Sequence, residues 1–379
     1  MTMIGLNQNL MINNKQTVYL NGININMKNK HEFTPGKPIR TYAKDGAWRD
    51  WSTDELVGAK LNYLPSWRCG AGLDSLYIDM DGGVWTASCR VGGKLGNVFE
   101  DFSVPDDWID CTRNVCSCGA DLFIPKVSKI EFKPLLLKGQ SLPAKPELRN
   151  DELTDFVAME RTHASNQKQI YWEIGRRCNY DCSYCWPWIH NNTDRHKTID
   201  ELMAATHLIE EKFTKGESVN FIISGGEPTA NKHFLPWLRY LNDCGHHISL
   251  HSNGSRLPDY YKEIIHFGDL NLSAHFEFYD REKFIKVVEA VTKEKVAHRN
   301  IDVGHLEVKF MMAPKDRDEA LILEEELKKI PDFVNYCTWA IVPIRGSLEN
   351  KNITTGSGAG SEIMEGYTKE DYILFGDRK

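Results

Sequence analysis

The sequence has no apolar run approaching the roughly 20 residues that cross a bilayer, so no membrane-spanning helix is expected. Its first residues, MTMIGLNQNLMINNKQ, lack the basic start and continuous apolar stretch of a secretion signal. A cytoplasmic protein is the expectation. There is no basic excess either. The 46 Lys and Arg are outnumbered by 53 Asp and Glu, for a net charge of −7. Binding to nucleic acid through bulk electrostatics is therefore not expected. No internal repeat is evident. What is present is an ordinary globular composition, 41% hydrophobic and 26% charged over 379 residues. That length suits two domains, or one large domain with a satellite.

Cysteine is plentiful and unevenly placed. Five of the ten lie between Cys69 and Cys118, three between Cys178 and Cys185, and Cys244 and Cys337 stand alone. In a reducing compartment clustered thiols are more often metal ligands than disulfides. Two groups predict two metal sites.

Residues 1–132 read as a small α+β domain. A strand or hairpin is expected near Val18–Ile25, and a hairpin from strands at 76–80 and 84–88 around Asp81-Gly82. Residues 133–166, with Pro134, Pro143 and Pro146, read as a linker. Over 167–345 apolar strands alternate with amphipathic helices. Strands are expected at 169–175, 219–224, 247–252, 269–277, 304–312 and 338–343. Thr198 and Glu201 form a capping box before a helix at 199–213. Gly245 and Gly268 read as C-terminal caps of helices at 232–244 and 259–267. Asp280 caps 281–297, and Asp316 with Glu319 opens a helix that Pro331 ends. Six strands alternating with five helices predict an α/β fold, a partial (β/α)6 barrel. The tail, 346–379, has a Gly/Ser stretch and a short docking helix from Tyr367 to Phe375.

The sequence Cys178-Asn179-Tyr180-Asp181-Cys182-Ser183-Tyr184-Cys185 follows the first of these strands. Parallel α/β folds carry their active sites at the carboxyl ends of the strands. Structural zinc and electron-transfer clusters take four ligands. Three cysteines on one loop leave one iron of a 4Fe–4S cluster open to a ligand. A zinc site completed by a residue such as His190 is the alternative.

This CxxxCxxC motif, with an aromatic before its last cysteine, resembles the signature of the radical S-adenosylmethionine (SAM) superfamily. The resemblance covers about 168–345. It implies that Cys178, Cys182 and Cys185 ligate a 4Fe–4S cluster whose open iron is chelated by SAM. Reductive cleavage of SAM then yields a 5′-deoxyadenosyl radical. It also implies that Tyr184 contacts adenine. Ser224-Gly225-Gly226-Glu227, ending the second strand, resembles the family's GGE motif. Its backbone and carboxylate bind the SAM ammonium group there. Two glycines permit close backbone approach, and a carboxylate pairs with a cation. Ser252-Asn253-Gly254 resembles a turn common in the family. Glycine pairs and Asn-Gly are also ordinary turn formers.

Side chains alternate along a strand. Leu270, Leu272, Ala274 and Phe276 should face the helices, leaving Asn271, Ser273, His275 and Glu277 inside. His305, Glu307, Lys309, Met311, Glu173 and His251 should also face inward. That polar interior suits a polar ligand. By resemblance Ser273 contacts the SAM ribose or carboxylate. His275 and Glu277 are expected nearer a substrate. An ion-pair network of Glu173, Glu307 and Lys309 is the plain alternative. Trp186, Trp188 and His190 are expected either at the substrate entrance or packed.

Cys69, Gly82-Gly83, Cys89, Gly96-Asn97-Val98, Cys111, Cys116 and Cys118 resemble the SPASM or twitch extension of radical SAM enzymes. That extension holds auxiliary Fe–S clusters, and here it precedes the barrel instead of following it. The resemblance implies one auxiliary 4Fe–4S cluster on Cys69, Cys89, Cys116 and Cys118, with Cys111 in reserve. A zinc ribbon is the alternative. Cys244 and Cys337 fall on the face opposite the first cluster and are not expected to donate a hydrogen atom.

The expected function is hydrogen abstraction from a substrate C–H bond, fed by a reductant such as flavodoxin or ferredoxin. A peptide or protein substrate is the first expectation, and a small metabolite, sugar or nucleotide the second. A non-catalytic Fe–S electron-transfer or sensor protein, or a zinc-binding interaction module, would share some of these motifs.

Overall fold

A computed structural model describes residues 18–20, 23–25, 38–43, 48–64, 67–116, 119–128, 156–162, 167–185, 190–299, 303–344 and 364–376. Cys118, Trp186, Trp188, residues 133–155 and the Gly/Ser stretch of the tail lie outside them. Among the described residues no helix is long and apolar enough to cross a membrane.

Six parallel strands run in sequence order: Gln169–Glu173, Asn220–Ser224, His247–Ser252, Gly268–His275, Leu306–Met312 and Cys337–Pro343. Helices Ile199–Ile209, Phe234–Asp243, Pro258–Ile264, Arg281–Ala297 and Arg317–Lys328 alternate with them. The fold is α/β. Strand alternation divides the two faces as expected. Leu270, Leu272, Ala274, Leu306, Val308 and Phe310 are fully buried, and the residues between them are partly open. Each such leucine contributes about 1.5–3 kcal/mol by leaving water. Trp172 of the first strand meets Trp237 edge-to-face at 5.2 Å. Trp237 donates to Thr206 Oγ1 at 3.0 Å, so its indole N–H is satisfied inside the core.

The N-terminal hairpin does not stand apart from this sheet. Ser75–Ile78 pairs parallel with Gln169–Glu173, and Gly83–Trp85 and Lys94–Asn97 extend the sheet antiparallel. Leu76, Ile78, Val84, Val98 and Phe102 join the same hydrophobic core as the helices. A second sheet is antiparallel, in the order Trp48–Trp51, Ile39–Ala43, Phe156–Arg161, Lys126–Ser128, Trp67–Cys69, Ile109–Asp110. Residues 156–161, read from sequence as linker, are thus a strand of that sheet. Their alternation signal was masked by flanking charge and by the distance to their partners.

Local punctuation mostly follows the sequence. Thr198 and Glu201 form the capping box, and Asp280 accepts from Lys283 N. The first helix passes into a π-helical turn at Glu210–Thr214. Two caps differ. The helix before Gly268 ends at Ile264, and Gly268 opens the next strand with φ +150°. A Cβ there would lie 2.0 Å from the Ile248 carbonyl oxygen, so close strand approach, not capping, requires glycine. Asp316 stands at the N-cap of Arg317–Lys328 as expected, but its side chain accepts from Ala313 N, one turn earlier, and not from the helix. The tail helix, Lys369–Gly376, docks beside the sixth strand. Just before it, Tyr367 donates to the Met312 carbonyl at 2.5 Å and accepts from Ile344 N.

Candidate active site

The strand ends and the cysteine loop enclose one cavity of about 160 Å³. Cys178, Cys182, Cys185, Tyr180, Tyr184 and His190 line it from the loop. Ser224, Gly225, Gly226 and Glu227 line it from the second strand end, and His251, Ser252 and Asn253 from the third. Ser273 and His275 complete it from the fourth. Glu277 is not among the lining residues.

The two glycines answer to the cysteine loop. Gly226 N donates to Gly175 O at 2.8 Å, and Glu227 N to Arg177 O at 2.9 Å. A Cβ on Gly225 would lie 2.6 Å from Gly175 O, and one on Gly226 2.4 Å from Arg177 O. Gly225 also has φ +127°, a region open chiefly to glycine. The motif lets the second strand end press against the backbone that leads into Cys178.

Glu227 is buried, and its carboxylate is heavily engaged. One oxygen accepts from Thr229 N at 3.0 Å, Thr229 Oγ1 at 2.6 Å and Ser252 Oγ at 2.9 Å; the other accepts from Asn253 N at 2.6 Å. Burial still pushes its pKa up, against those donors. Asn253 Nδ2 donates to Asn179 Oδ1 at 3.0 Å and sits 4.0 Å from Cys178 Sγ. Tyr180 N also donates to Cys178 Sγ, at 3.4 Å. Donors around a sulfur favour its thiolate form, as a metal ligand needs. As protonated thiols in this cavity, Cys178 and Cys182 are instead raised by burial, Cys182 to about 12.

Tyr184 is buried and lies parallel to the His275 ring, with its OH 2.9 Å from His275 Nδ1. Its outer side packs on Ala313, Ile344 and Met364, so the tail helps close this wall. Burial lowers His275 and His251 to about 4, so both face the cavity neutral at neutral pH. His190 Nε2 is buried without a hydrogen-bond partner among the described residues. Glu277, expected to face a substrate, instead accepts from Ser183 N and Ser183 Oγ, each at 2.7 Å, and pairs with Lys315. It lies past the strand end, where alternation no longer fixes direction. The interior charges split: Lys309 pairs with Glu307 at 2.9 Å, and Glu173 accepts from Tyr77 OH at 2.6 Å. Cys337 is buried at the start of the sixth strand and Cys244 is exposed at a helix end; neither lines the cavity.

Residues 172–304 match the radical SAM superfamily. That stretch, about a third of the chain, is similar to a radical SAM domain. Two relatives of known activity are both named as enzymes. Over 84 residues the chain is 33% identical to an S-adenosylmethionine-dependent nucleotide dehydratase of Selenomonas ruminantium, covering 22% of this chain and 28% of that protein. Over 212 residues it is 24% identical to GTP 3′,8-cyclase of Pasteurella multocida (strain Pm70), covering 53% of this chain and 56% of that protein. The chain thus spans about half or less of these relatives. The radical SAM match includes the cysteine loop, the GGE turn, Asn253, Ser273 and His275, all of which lie within 172–304.

The N-terminal cysteines form a second group. Cys69, Cys89 and Cys111 share a small core with Ala71, Ala87, Val91 and Ile124. Cys116 packs beside them, against the neighbouring core of Ile39, Trp51 and Leu122. Burial raises Cys69, and raises Cys116 to about 11. Cys111, held in reserve on sequence grounds, packs in the same core as Cys69 and Cys89. The buried Lys126 and Asp121 beside them carried no sequence signal, since neither falls in a cysteine spacing motif.

Proposed function

We propose that the protein reductively cleaves SAM at the cavity above the strand ends and uses the 5′-deoxyadenosyl radical to abstract a hydrogen atom from a substrate C–H bond. The observation that carries this is one cavity lined jointly by three cysteines of one loop and by Gly225, Gly226 and Glu227. Cys178, Cys182 and Cys185 hold the 4Fe–4S cluster and leave one iron for SAM. When bound, that cluster supplies an electron to the sulfonium. Gly225 and Gly226 let SAM approach the strand-end backbone. Ser273 and Tyr184, both lining the cavity, would contact the ribose or carboxylate and the adenine of bound SAM. Glu227 acts mainly by orienting Asn253 and Thr229, with its residual negative charge directed at the SAM ammonium. The six parallel strands form the wall of a partial barrel around this site.

Cys69, Cys89, Cys111 and Cys116, with Cys118 outside the described residues, hold an auxiliary Fe–S cluster in a SPASM- or twitch-like domain. An external flavodoxin or ferredoxin supplies reducing equivalents. A nucleotide is the favoured substrate class, because both relatives are named for nucleotide chemistry. A peptide is the second, because the auxiliary cysteine pattern resembles extensions found on peptide-modifying enzymes.

The test is anaerobic purification, iron and zinc analysis, and assay with SAM and dithionite for 5′-deoxyadenosine. Iron-dependent 5′-deoxyadenosine, stimulated by nucleoside triphosphates, is expected. Zinc without iron, or iron without SAM cleavage, overturns the reading. Stimulation by peptides alone shifts the substrate class.

A further inference from the structure

We propose that Lys126 is a built-in counter-cation for the metal cluster of the N-terminal cysteine group and raises that cluster's reduction potential. The proposal rests on the reading that this group holds an auxiliary iron–sulfur cluster.

Lys126 is only 2% exposed. In the strand Lys126–Ser128 it stands directly opposite Cys69 across an antiparallel ladder. Residues so opposed project their side chains to the same face. Its Nζ donates to the backbone carbonyls of Asp121 and Ile124, the latter at 2.8 Å. Asp121 is also buried, but its carboxylate turns elsewhere. It accepts from Ser88 N and Oγ, both at 3.1 Å, and from Cys89 N at 2.8 Å. No ion pair joins Lys126 to a carboxylate among the described residues.

A buried ammonium is costly unless nearby negative charge offsets it. Two carbonyl dipoles offset part of that cost. The groups that act on it most strongly are Cys116, Cys69, Asp121 and Cys89; the Asp74 carboxylate is also within reach but is paired with Arg161. Protonated thiols carry no charge and would not compensate. Thiolates bound to a metal would, so the buried lysine fits a charged cluster better than an empty thiol pocket. Each electron added to such a cluster makes it more negative. A fixed cation beside it therefore stabilises the reduced state more than the oxidised one. Asp121 acts at one remove, as a positioning residue that fixes the Ser88–Cys89 turn.

The test uses the full chain with Cys178, Cys182 and Cys185 replaced by alanine, so that the N-terminal group remains to be read by itself. Iron and zinc content are measured, and the midpoint potential is taken from a dithionite titration followed by electron paramagnetic resonance. Lys126→Met keeps the chain length and removes the charge; Lys126→Arg keeps the charge. The parent is expected to hold iron, the Met variant to titrate at a more negative potential, and the Arg variant to stay near the parent. Loss of iron in the Met variant with retention in the Arg variant also supports the proposal. An iron-loaded Met variant with an unshifted potential overturns it and leaves the auxiliary cluster standing. Loss of iron in both variants means that shape, not charge, matters, and overturns it too. A parent without iron, or with zinc alone, overturns the auxiliary-cluster reading itself.

Discussion

Arg176 forks onto Asp81, its two terminal nitrogens 2.5 and 2.6 Å from the two carboxylate oxygens. The pair ties the turn of the N-terminal hairpin to the chain two residues before Cys178. Arg176 also reaches Asp194 at 3.4 Å, on the segment that returns from the cysteine loop. The Asp81 side chain is 70% exposed, so the pair contributes on the order of 0.2–1 kcal/mol to stability. Its larger effect is on loop position.

The same fork holds the Asp81 carboxyl below the usual carboxylate range. A depressed folded-state pKa gives stability that is present above the unfolded value and lost as pH falls through the folded one. The window is therefore below about pH 4. In the metal-free protein, Asp81→Asn should lower the thermal midpoint slightly at pH 7, where the charged pair is intact, and leave it nearly unchanged at the acid end, so that the fall below about pH 4 is flatter. An unaltered acid limb would show that the pair carries no differential charge energy.

Glu227→Gln is a sharper perturbation. Gln keeps the shape but puts an NH2 group where the carboxylate faces four donors, from Thr229, Ser252 and Asn253. At least one buried N–H is then left facing another donor, at a cost of about 1–3 kcal/mol. Chemical denaturation of the metal-free protein should show that loss, together with weaker binding of SAM. Full stability in Glu227→Gln would mean that the network rearranges and that Glu227 does not organise the strand ends.

His251 and His275 should make the cavity sensitive to acid. Both are lowered to about 4 by burial, against about 6.5 for the unfolded chain. Between those values the unfolded state binds more protons, so stability falls as pH drops from about 6.5 to about 4. Each histidine contributes at most about 3 kcal/mol over that window, less where cavity water reaches the ring. His275→Gln should reduce the slope of unfolding free energy against pH in that interval. His305, outside the cavity, is also lowered by burial, so His305→Gln should reduce the slope as well without affecting the cavity. An unchanged slope in His275→Gln would place the charge elsewhere.

The six parallel strands were legible because alternation at 268–275 and 306–312 is nearly uninterrupted and glycine, asparagine and proline punctuate the ends. The cysteine loop and GGE turn were legible as motifs. What the sequence concealed was the reason for the motif. Gly225 and Gly226 serve contact with residues 175–177, which no local pattern announces. The hairpin at 75–85 was readable, but not its parallel pairing with Gln169–Glu173, roughly 90 residues away. Lys126 was equally opaque, because only strand pairing places it beside Cys69.

Glu277 was legible as a residue but not as a role. It accepts two hydrogen bonds from Ser183, which sits between Cys182 and Cys185. Burial pushes its pKa up, but Ser183 and the Lys315 ammonium more than offset that and hold it below the ordinary value. It is therefore charged at neutral pH, and hydrogen bonds to a charged acceptor are worth about 1.5–3 kcal/mol each. Glu277→Ala should free the middle of the cysteine loop. The expected result is a lower iron content at that loop and a fall in 5′-deoxyadenosine formation, with the fold retained by circular dichroism. Glu277→Gln keeps one acceptor for Ser183 N and should recover part of the iron. Ser183→Ala removes the hydroxyl donor but not the backbone N–H, so its defect should be the milder of the two. If Glu277→Ala instead binds iron and cleaves SAM like the parent while turning over substrate poorly, Glu277 belongs to the substrate and not to the loop.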